Sequence, residues 1–248
     1  MFASVFHRDM LLSHQKKFLF IHIAKTGGTS VRSALQKHRW RDPYYAPIWL
    51  ASKLSRMANH ELAIKLPRHS KAIAAKEMLP REFYDSLFKF AFVRNPWDLQ
   101  VSSYHHIRRE RPQLMKPNES FAEFMHRKFD PEREWQYHID TSITPQSNYL
   151  VDLNGELIVD FIGHYETLQQ DFDHCCKTIG IPKVALPHKR KAADSPRSGL
   201  MDIIRLMKPG TAIQANKMAA RLIPSVERTA FRSVSKRPIA ITTINQIS

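Results

Sequence analysis

The chain has 248 residues, 43% of them apolar, which suits one folded α/β domain and excludes a disordered chain. No apolar run approaches the roughly 20 residues that a membrane span needs, and residues 1–17 lack the charge order of a signal peptide, so we expect a cytoplasmic protein. The net charge of +15 favours an anionic partner.

The first predicted elements are a buried strand over Phe18–Ile23 and a helix running to about Lys37, joined by a glycine turn. Two glycines let backbone amides approach a ligand closely, and the helix N-terminus faces the same point. We therefore predict a loop that binds phosphate or sulfate, although an ordinary strand–helix turn capped by Thr29 or Ser30 is the alternative. The candidate ligands are Lys25, Thr26, Gly27, Gly28, Thr29 and Ser30.

The order of residues in this loop excludes a common class of nucleotide site. A nucleotide-triphosphatase loop has the pattern G-x-x-x-x-G-K-[ST], in which lysine follows the glycines. Here Lys25 precedes Gly27 and Gly28, and the pattern occurs nowhere else in the chain.

A second strand is predicted over Leu87–Val93, with Asn95 as the N-cap of a helix that runs to about Arg109. Arg94 follows this strand at the edge where open α/β sheets bind ligands. Ser102 comes about two turns into the helix, so the two side chains could converge on a second anionic group. A surface arginine and a satisfied helical serine are the alternative.

Further elements alternate along the chain. Short strands are predicted over His60–Leu66 and Leu157–Ile162, and Thr167 resembles the start of a capping box. The helix after it places Cys175 and Cys176 on an apolar face, and these adjacent cysteines lack both disulfide geometry and metal-site spacing. Strands that alternate with helices predict a parallel sheet with helices on both faces.

The last part of the chain differs in composition from the rest. Residues 183–248 contain 13 Lys and Arg against 3 Asp and Glu, a net charge of +10, and Phe231 is the only aromatic residue after residue 182. We expect residues 199–248 to form a divergent, poorly ordered basic segment, separate from a domain over residues 1–198.

Two long segments resemble the sulfotransferase superfamily, in the branch related to heparan sulfate 2-O-sulfotransferases and bacterial carbohydrate sulfotransferases. They are Phe20–Ser30, F-I-H-I-A-K-T-G-G-T-S, and Phe90–Tyr104, which begins F-A-F-V-R-N-P-W-D. Asp160–Leu168, D-F-I-G-H-Y-E-T-L, is a third similar segment. The resemblance implies a P-loop-like three-layer α/β fold with a central parallel sheet flanked by helices.

The resemblance also implies a reaction and roles. The chain would move the sulfuryl group of 3′-phosphoadenosine-5′-phosphosulfate (PAPS) to a hydroxyl, with a saccharide as the expected acceptor and without a metal ion. Lys25–Ser30 would hold the 5′-phosphosulfate, and Lys25 would also stabilise the leaving oxygen. Arg94 and Ser102 would bind the 3′-phosphate. His69, in a segment similar to the family's H-x-T-A, would be the general base.

Several positions depart from the family pattern. Ala24 replaces a usual proline, Leu99 a common arginine and His164 an arginine, and we find no resemblance beyond Ser198. A catalytically inactive nucleotide- or glycan-binding member of the fold therefore stays an alternative.

Other assignments remain open or are weaker. The charge of +15 also suggests nucleic-acid binding, but no helix-turn-helix, RNP or zinc-finger pattern supports it, and we do not expect that partner. His22 is expected to pack in the core, while His105 and His106 could line the acceptor cleft. The oligomeric state is not predicted.

Overall fold

The computed structural model describes residues 10–43, 46–47, 50, 54 and 67–187. Its centre is a four-stranded sheet in the order β1-β2-β3-β4. The strands are Leu11–Ser13, Phe18–Ile21, Phe88–Val93 and Phe161–His164. β2, β3 and β4 are parallel, whereas β1 pairs antiparallel with β2. The mixed α/β fold is confirmed, and the antiparallel edge strand β1 is a feature that the sequence did not predict.

Seven α-helices have both of their ends in the described part of the chain. Helices α1 to α7 are Gly28–Trp40, Ala72–Met78, Arg81–Asp85, Pro96–Glu110, Phe121–Lys128, Tyr137–Asp140 and Leu168–Thr178. Three short 3₁₀ helices are Pro112–Leu114, Gln146–Tyr149 and Tyr165–Thr167. No helix among these residues is both long and apolar enough to cross a membrane.

Alternating side chains of β2 and β3 build a core on each face of the sheet, because successive strand residues point to opposite sides. On one face Phe20 and Phe92 pack with α1 and α7, where the buried thiols Cys175 and Cys176 lie in the same cluster. On the other face Ile21 packs with Ala72 and Ala75 of α2 and Tyr84 of α3. Helices therefore cover both faces of the sheet.

The parallel register decides where the site can form. Phe20 pairs with Phe90 and Ile21 with Ala91, so β2 and β3 run side by side in the same direction. The residues that follow both strands consequently emerge at one edge of the sheet, at the start of α1 and α4. The loop that begins after Ile21 and the turn after Val93 are neighbours for this reason.

The bounds of the third predicted strand differ from the structure. The predicted third strand Leu157–Ile162 corresponds to β4, which covers Phe161–His164. Asp160 pairs with the Lys89 backbone through both its amide and its carboxylate. Leu157 forms only an isolated bridge with Val151. The predicted strand at His60–Leu66 and the segment 199–248 lie outside the described residues.

One of the predicted helix N-caps is confirmed and the others are wrong. Asn95 is the N-cap of α4 as predicted, since its Oδ1 accepts from the Trp97 amide at 3.0 Å. Neither Thr29 nor Ser30 caps α1, which starts at Gly28 after a left-handed Gly27. Thr167 precedes α7 but makes no cap hydrogen bond, because its hydroxyl donates to the Asp171 carboxylate at 2.8 Å.

Candidate active site

The turn between β2 and α1 is closed by its own contacts. Lys25 and Gly27 both have left-handed backbone conformations, with φ angles of 69° and 80°. Thr26 is fully buried, and its hydroxyl donates to the Ile23 carbonyl at 3.0 Å. Its hydroxyl proton therefore braces the turn. The Ser30 amide donates to the Gly27 carbonyl at 3.0 Å, so the Gly28 and Thr29 amides are the donors that α1 offers to an anion.

Both glycines are required by space, and Gly27 is also required by its left-handed conformation. A Cβ on Gly27 would lie 2.6 Å from Leu168 Cδ2 and 3.2 Å from Tyr165 Cδ2. A Cβ on Gly28 would lie 2.2 Å from both Cδ2 and Nε2 of His22. The backbone of the loop is thus held between Tyr165 on one side and His22 on the other.

The remaining hydroxyls of the loop differ in their surroundings. Ser30 donates to the Pro187 carbonyl at 2.8 Å, which ties the loop to the chain after α7. Thr29 is exposed at the start of α1. Of the three predicted hydroxyl ligands, Thr29 is the one with no bond to the protein in the described residues.

Arg94, which follows β3, lies beside this loop. Its Nη1 donates to the Lys25 carbonyl at 3.3 Å, and its guanidinium carbon stands 4.0 Å from the centre of the Tyr165 ring. Gln146 fixes the backbone, accepting from the Arg94 amide at 2.9 Å and donating to its carbonyl at 2.7 Å. Arg94 Nε is buried and has no partner in the described part of the chain. A planar cation with unused donors is suited to phosphate.

Ser102 is half-buried in α4, about two turns after Arg94. No hydrogen bond joins it to Arg94 or to the loop in the residues that the structure describes. Its role as a ligand for the same anion remains a prediction.

His69 reaches the loop through the main chain of His22. Its Nδ1 lies 2.8 Å from the His22 carbonyl oxygen. A carbonyl can only accept, so Nδ1 carries the proton and Nε2 of the neutral ring keeps its lone pair. Burial lowers the pKa of His69, the hydrogen bond to His22 opposes this, and nearby Arg68 and Arg32 lower it further. The ring is therefore a neutral base near pH 7.

Two parts of this site were not predicted from the sequence. Tyr165 lies against both Arg94 and Gly27, and Gln146 fixes the Arg94 backbone from 52 residues away. Tyr165 falls within the third similar segment, which was a signal without a role attached. Gln146 carries no local pattern that could have identified it.

The other positions that the sequence singled out have different surroundings. Leu99 is buried in α4, and His164 donates its amide to the Asp171 carboxylate at 2.7 Å. His105 is exposed and His106 half-buried on α4. No group of three His, Cys, Asp or Glu side chains suited to a metal ion occurs in the described residues.

Together these features place a glycine loop before α1, the Arg94 guanidinium beside that loop and a neutral His69 on the His22 carbonyl at the end of β2. The chain belongs to the sulfotransferase family, whose model matches residues 8–213. Membership supports sulfuryl transfer as the general class of reaction, and in general implies PAPS as co-substrate and a hydroxyl acceptor. The match extends past the predicted boundary at Ser198, which lies outside the described residues.

Two further proteins are similar to this chain. An uncharacterized protein of Archaeoglobus fulgidus is 36% identical over 115 residues, which are 46% of this chain and 85% of that protein. The crystal structure of a sulfotransferase from Alicyclobacillus acidocaldarius aligns with 18% identity and a TM-score of 0.36 over 65% of this chain. This chain spans 62% of that protein.

Proposed function

We propose that this protein is a PAPS-dependent sulfotransferase that acts on a hydroxyl of a saccharide, with His69 as the general base. The observation that carries the proposal is the hydrogen bond from Arg94 to the Lys25 carbonyl, because it joins a second cation to the anion-binding loop. Two separate anion sites side by side fit a nucleotide that carries phosphate groups at both its 5′ and 3′ positions. The cytoplasmic location expected from the sequence stays a prediction.

Each part of the site has one task in this proposal. His69 Nε2 takes the proton of the acceptor hydroxyl as that oxygen attacks sulfur. The bond between sulfur and the phosphate oxygen breaks on the opposite side, and 3′-phosphoadenosine-5′-phosphate leaves. Lys25 and the first amides of α1 stabilise the charge that develops on the leaving oxygen. Arg94 and Ser102 hold the 3′-phosphate and keep the reacting atoms in line.

A separate group of exposed aromatic side chains supports a saccharide as the acceptor. Trp135 is 72% exposed, and its ring centre lies 6.2 Å from that of the exposed Tyr137. The segment is held in place because Arg133 donates to the Asp140 carboxylate at 2.6 Å. Arg111 lies close enough to lower the pKa of His138, after the larger effect of burial. Two exposed aromatic rings, in a segment held by an ion pair and with a cation near the adjacent His138, support a saccharide with acidic groups as the acceptor.

Transfer of labelled sulfate from PAPS to a panel of neutral and acidic oligosaccharides tests the proposal. We expect Lys25→Ala to lower turnover by roughly 10²–10³-fold and His69→Ala by roughly 10²–10⁴-fold. Lys177→Ala and His126→Ala, at exposed positions on α7 and α5, are the matched controls and should keep full activity.

The pH dependence of turnover tests the base separately. Turnover of the wild type should fall as pH drops through the pKa of His69, which lies below its usual 6.5 mainly because of burial. His69→Ala should lose this acid limb. Full turnover in both Lys25→Ala and His69→Ala would show the mechanism to be wrong. Binding of 3′-phosphoadenosine-5′-phosphate without transfer to any acceptor would favour the inactive member of the fold.

A further inference from the structure

His22 directly follows β2 and is 4% exposed. Its ring stacks on Phe20 with 5.5 Å between ring centres, and lies 4.6 Å from the ring of His69. Its Nδ1 is buried and has no partner in the described part of the chain. The sequence predicted a core histidine, and the burial agrees with that, but the neighbours of this ring belong to the candidate active site.

The first of these neighbours is Gly28. The edge of the His22 ring formed by Cδ2 and Nε2 occupies the place where a Cβ of residue 28 would lie, at 2.2 Å from either atom. Gly28 is the first residue of α1 and does not have the left-handed conformation of Gly27. Glycine at position 28 is therefore needed because of the His22 ring, whereas glycine at position 27 is also needed for its φ angle of 80°.

The second neighbour is His69. The His22 carbonyl accepts from His69 Nδ1 at 2.8 Å, which fixes the tautomer of the base. Burial, followed by the charges of His69, Arg68 and Arg32, lowers the pKa of His22 well below its usual value. The His22 ring is thus neutral, and it adds no positive charge beside the base.

We propose that His22 is a positioning residue that sets the anion-binding loop and the general base relative to each other, through its ring against Gly28 and its carbonyl on His69. This rests on the proposed function, in which the loop binds the donor and His69 takes the acceptor proton. His22 itself makes no contact with the reacting atoms in this account.

Replacing His22 and Gly28 by alanine, singly and together, tests the half of the proposal that concerns the loop. Gly28→Ala should weaken binding of 3′-phosphoadenosine-5′-phosphate by at least roughly 10-fold, because the new methyl group and the His22 ring cannot share the same space. His22→Ala removes the ring, so the double variant His22→Ala/Gly28→Ala should recover affinity to within about threefold of His22→Ala alone.

Gly27→Ala is the matched control for this exchange. Its new methyl group would meet Leu168 and Tyr165, not His22, in a backbone conformation that alanine rarely adopts. His22→Ala should therefore give no recovery when it is combined with Gly27→Ala. Recovery in both pairs, or in neither, would overturn the contact as the reason for Gly28.

The pH profile tests the half that concerns the base. His22→Ala leaves the backbone carbonyl in place but opens space for water beside His69, so hydration should raise the pKa of the base towards its usual value. The acid limb of turnover should move to higher pH, and turnover should fall by roughly tenfold at neutral pH. An unmoved acid limb would overturn this half, since a purely structural role changes stability without changing the limb.

Nucleotide binding by the wild-type protein distinguishes failure of the positioning role from failure of the proposed function. If it binds the nucleotide and His22→Ala fails to rescue Gly28→Ala, only the role of His22 is wrong. If the wild type does not bind 3′-phosphoadenosine-5′-phosphate at all, the proposed function fails and the positioning role fails with it. Thermal unfolding of each variant shows which of them are folded enough to compare.

Discussion

Arg94, just before the start of α4, and Lys128, at the end of α5, are two basic side chains with opposite surroundings. Arg94 is half-buried, donates once to the Lys25 carbonyl and keeps a buried Nε without a partner in the described residues. Lys128 is 1% exposed, and its Nζ lies 2.6 Å from Gln100 Oε1, 2.7 Å from Ser142 Oγ and 3.2 Å from Ser103 Oγ.

The number of donors explains the difference. The Lys128 nitrogen carries at most three protons and is surrounded by three oxygens, so none of its donors is left for a ligand. A guanidinium has five N–H donors, and Arg94 uses one of them on the Lys25 carbonyl. A buried basic group is therefore a candidate ligand-binding residue only when its donors exceed the acceptors that the protein supplies.

Removing the charge of Arg94 should have the largest effect on binding. Arg94→Gln should weaken binding of 3′-phosphoadenosine-5′-phosphate by about 1.5–3 kcal/mol, since hydrogen bonds from a charged donor contribute about that much. Isothermal titration calorimetry measures the change, with the exposed Arg81→Gln as a matched control that should bind like the wild type. Equal affinities in Arg94→Gln and the wild type would remove Arg94 from the site.

Lys128→Met should change stability and leave nucleotide binding within about twofold of the wild type. Burial is the main cause that lowers the pKa of Lys128 from 10.5 to about 7, with Asp140 raising it and Arg133 lowering it. Between these two values the unfolded chain binds more protons than the folded one, so the free energy of unfolding should rise with pH from about 7 to about 10.

Urea denaturation at several pH values measures this effect. Relative to Lys128→Met, the wild type should gain on the order of 2 kcal/mol over two pH units inside that window. Groups other than Lys128 titrate in both proteins and cancel in the comparison. Parallel pH dependences would show that Lys128 titrates alike in the folded and unfolded chains, and a large loss of nucleotide affinity would place it in the site after all.

The smallest effects should come from two adjacent serines of α4. Ser102 is half-buried and is the predicted ligand, whereas Ser103 is buried, 2.8 Å from Ser142 Oγ in the group around Lys128. Ser102→Ala should weaken nucleotide binding by about 0.5–1.5 kcal/mol and leave stability unchanged. Ser103→Ala should do the reverse and lower the free energy of unfolding by about 1 kcal/mol. Calorimetry and denaturation measure both variants. A loss of stability in Ser102→Ala together with a loss of nucleotide affinity in Ser103→Ala would contradict this prediction.

Much of the frame of the site follows from local sequence. Phe18–Ile21 and Phe88–Val93 are short, largely apolar runs rich in aromatic residues, which favour a buried strand over a helix, and Asn95 with Pro96 starts a helix by well-defined chemistry. β1 was missed because Leu11–Ser13 is a three-residue strand that depends on pairing with β2. Thr167 was wrong as a cap because Asp171, one turn later, accepts from its hydroxyl.

By itself, the sequence determined the strands β2 and β3, the glycine loop, the arginine that follows β3 and the family to which the chain belongs. These depend on interactions within about ten residues and on motifs with fixed spacing. Only the tertiary structure decided what surrounds each side chain. It placed Tyr165 under Arg94, used the hydroxyls of Thr26 and Ser30 inside the protein, and set the His22 ring between Gly28 and His69. Such contacts join residues far apart in the chain, and packing across the sheet edge selects them, so no local pattern contains them.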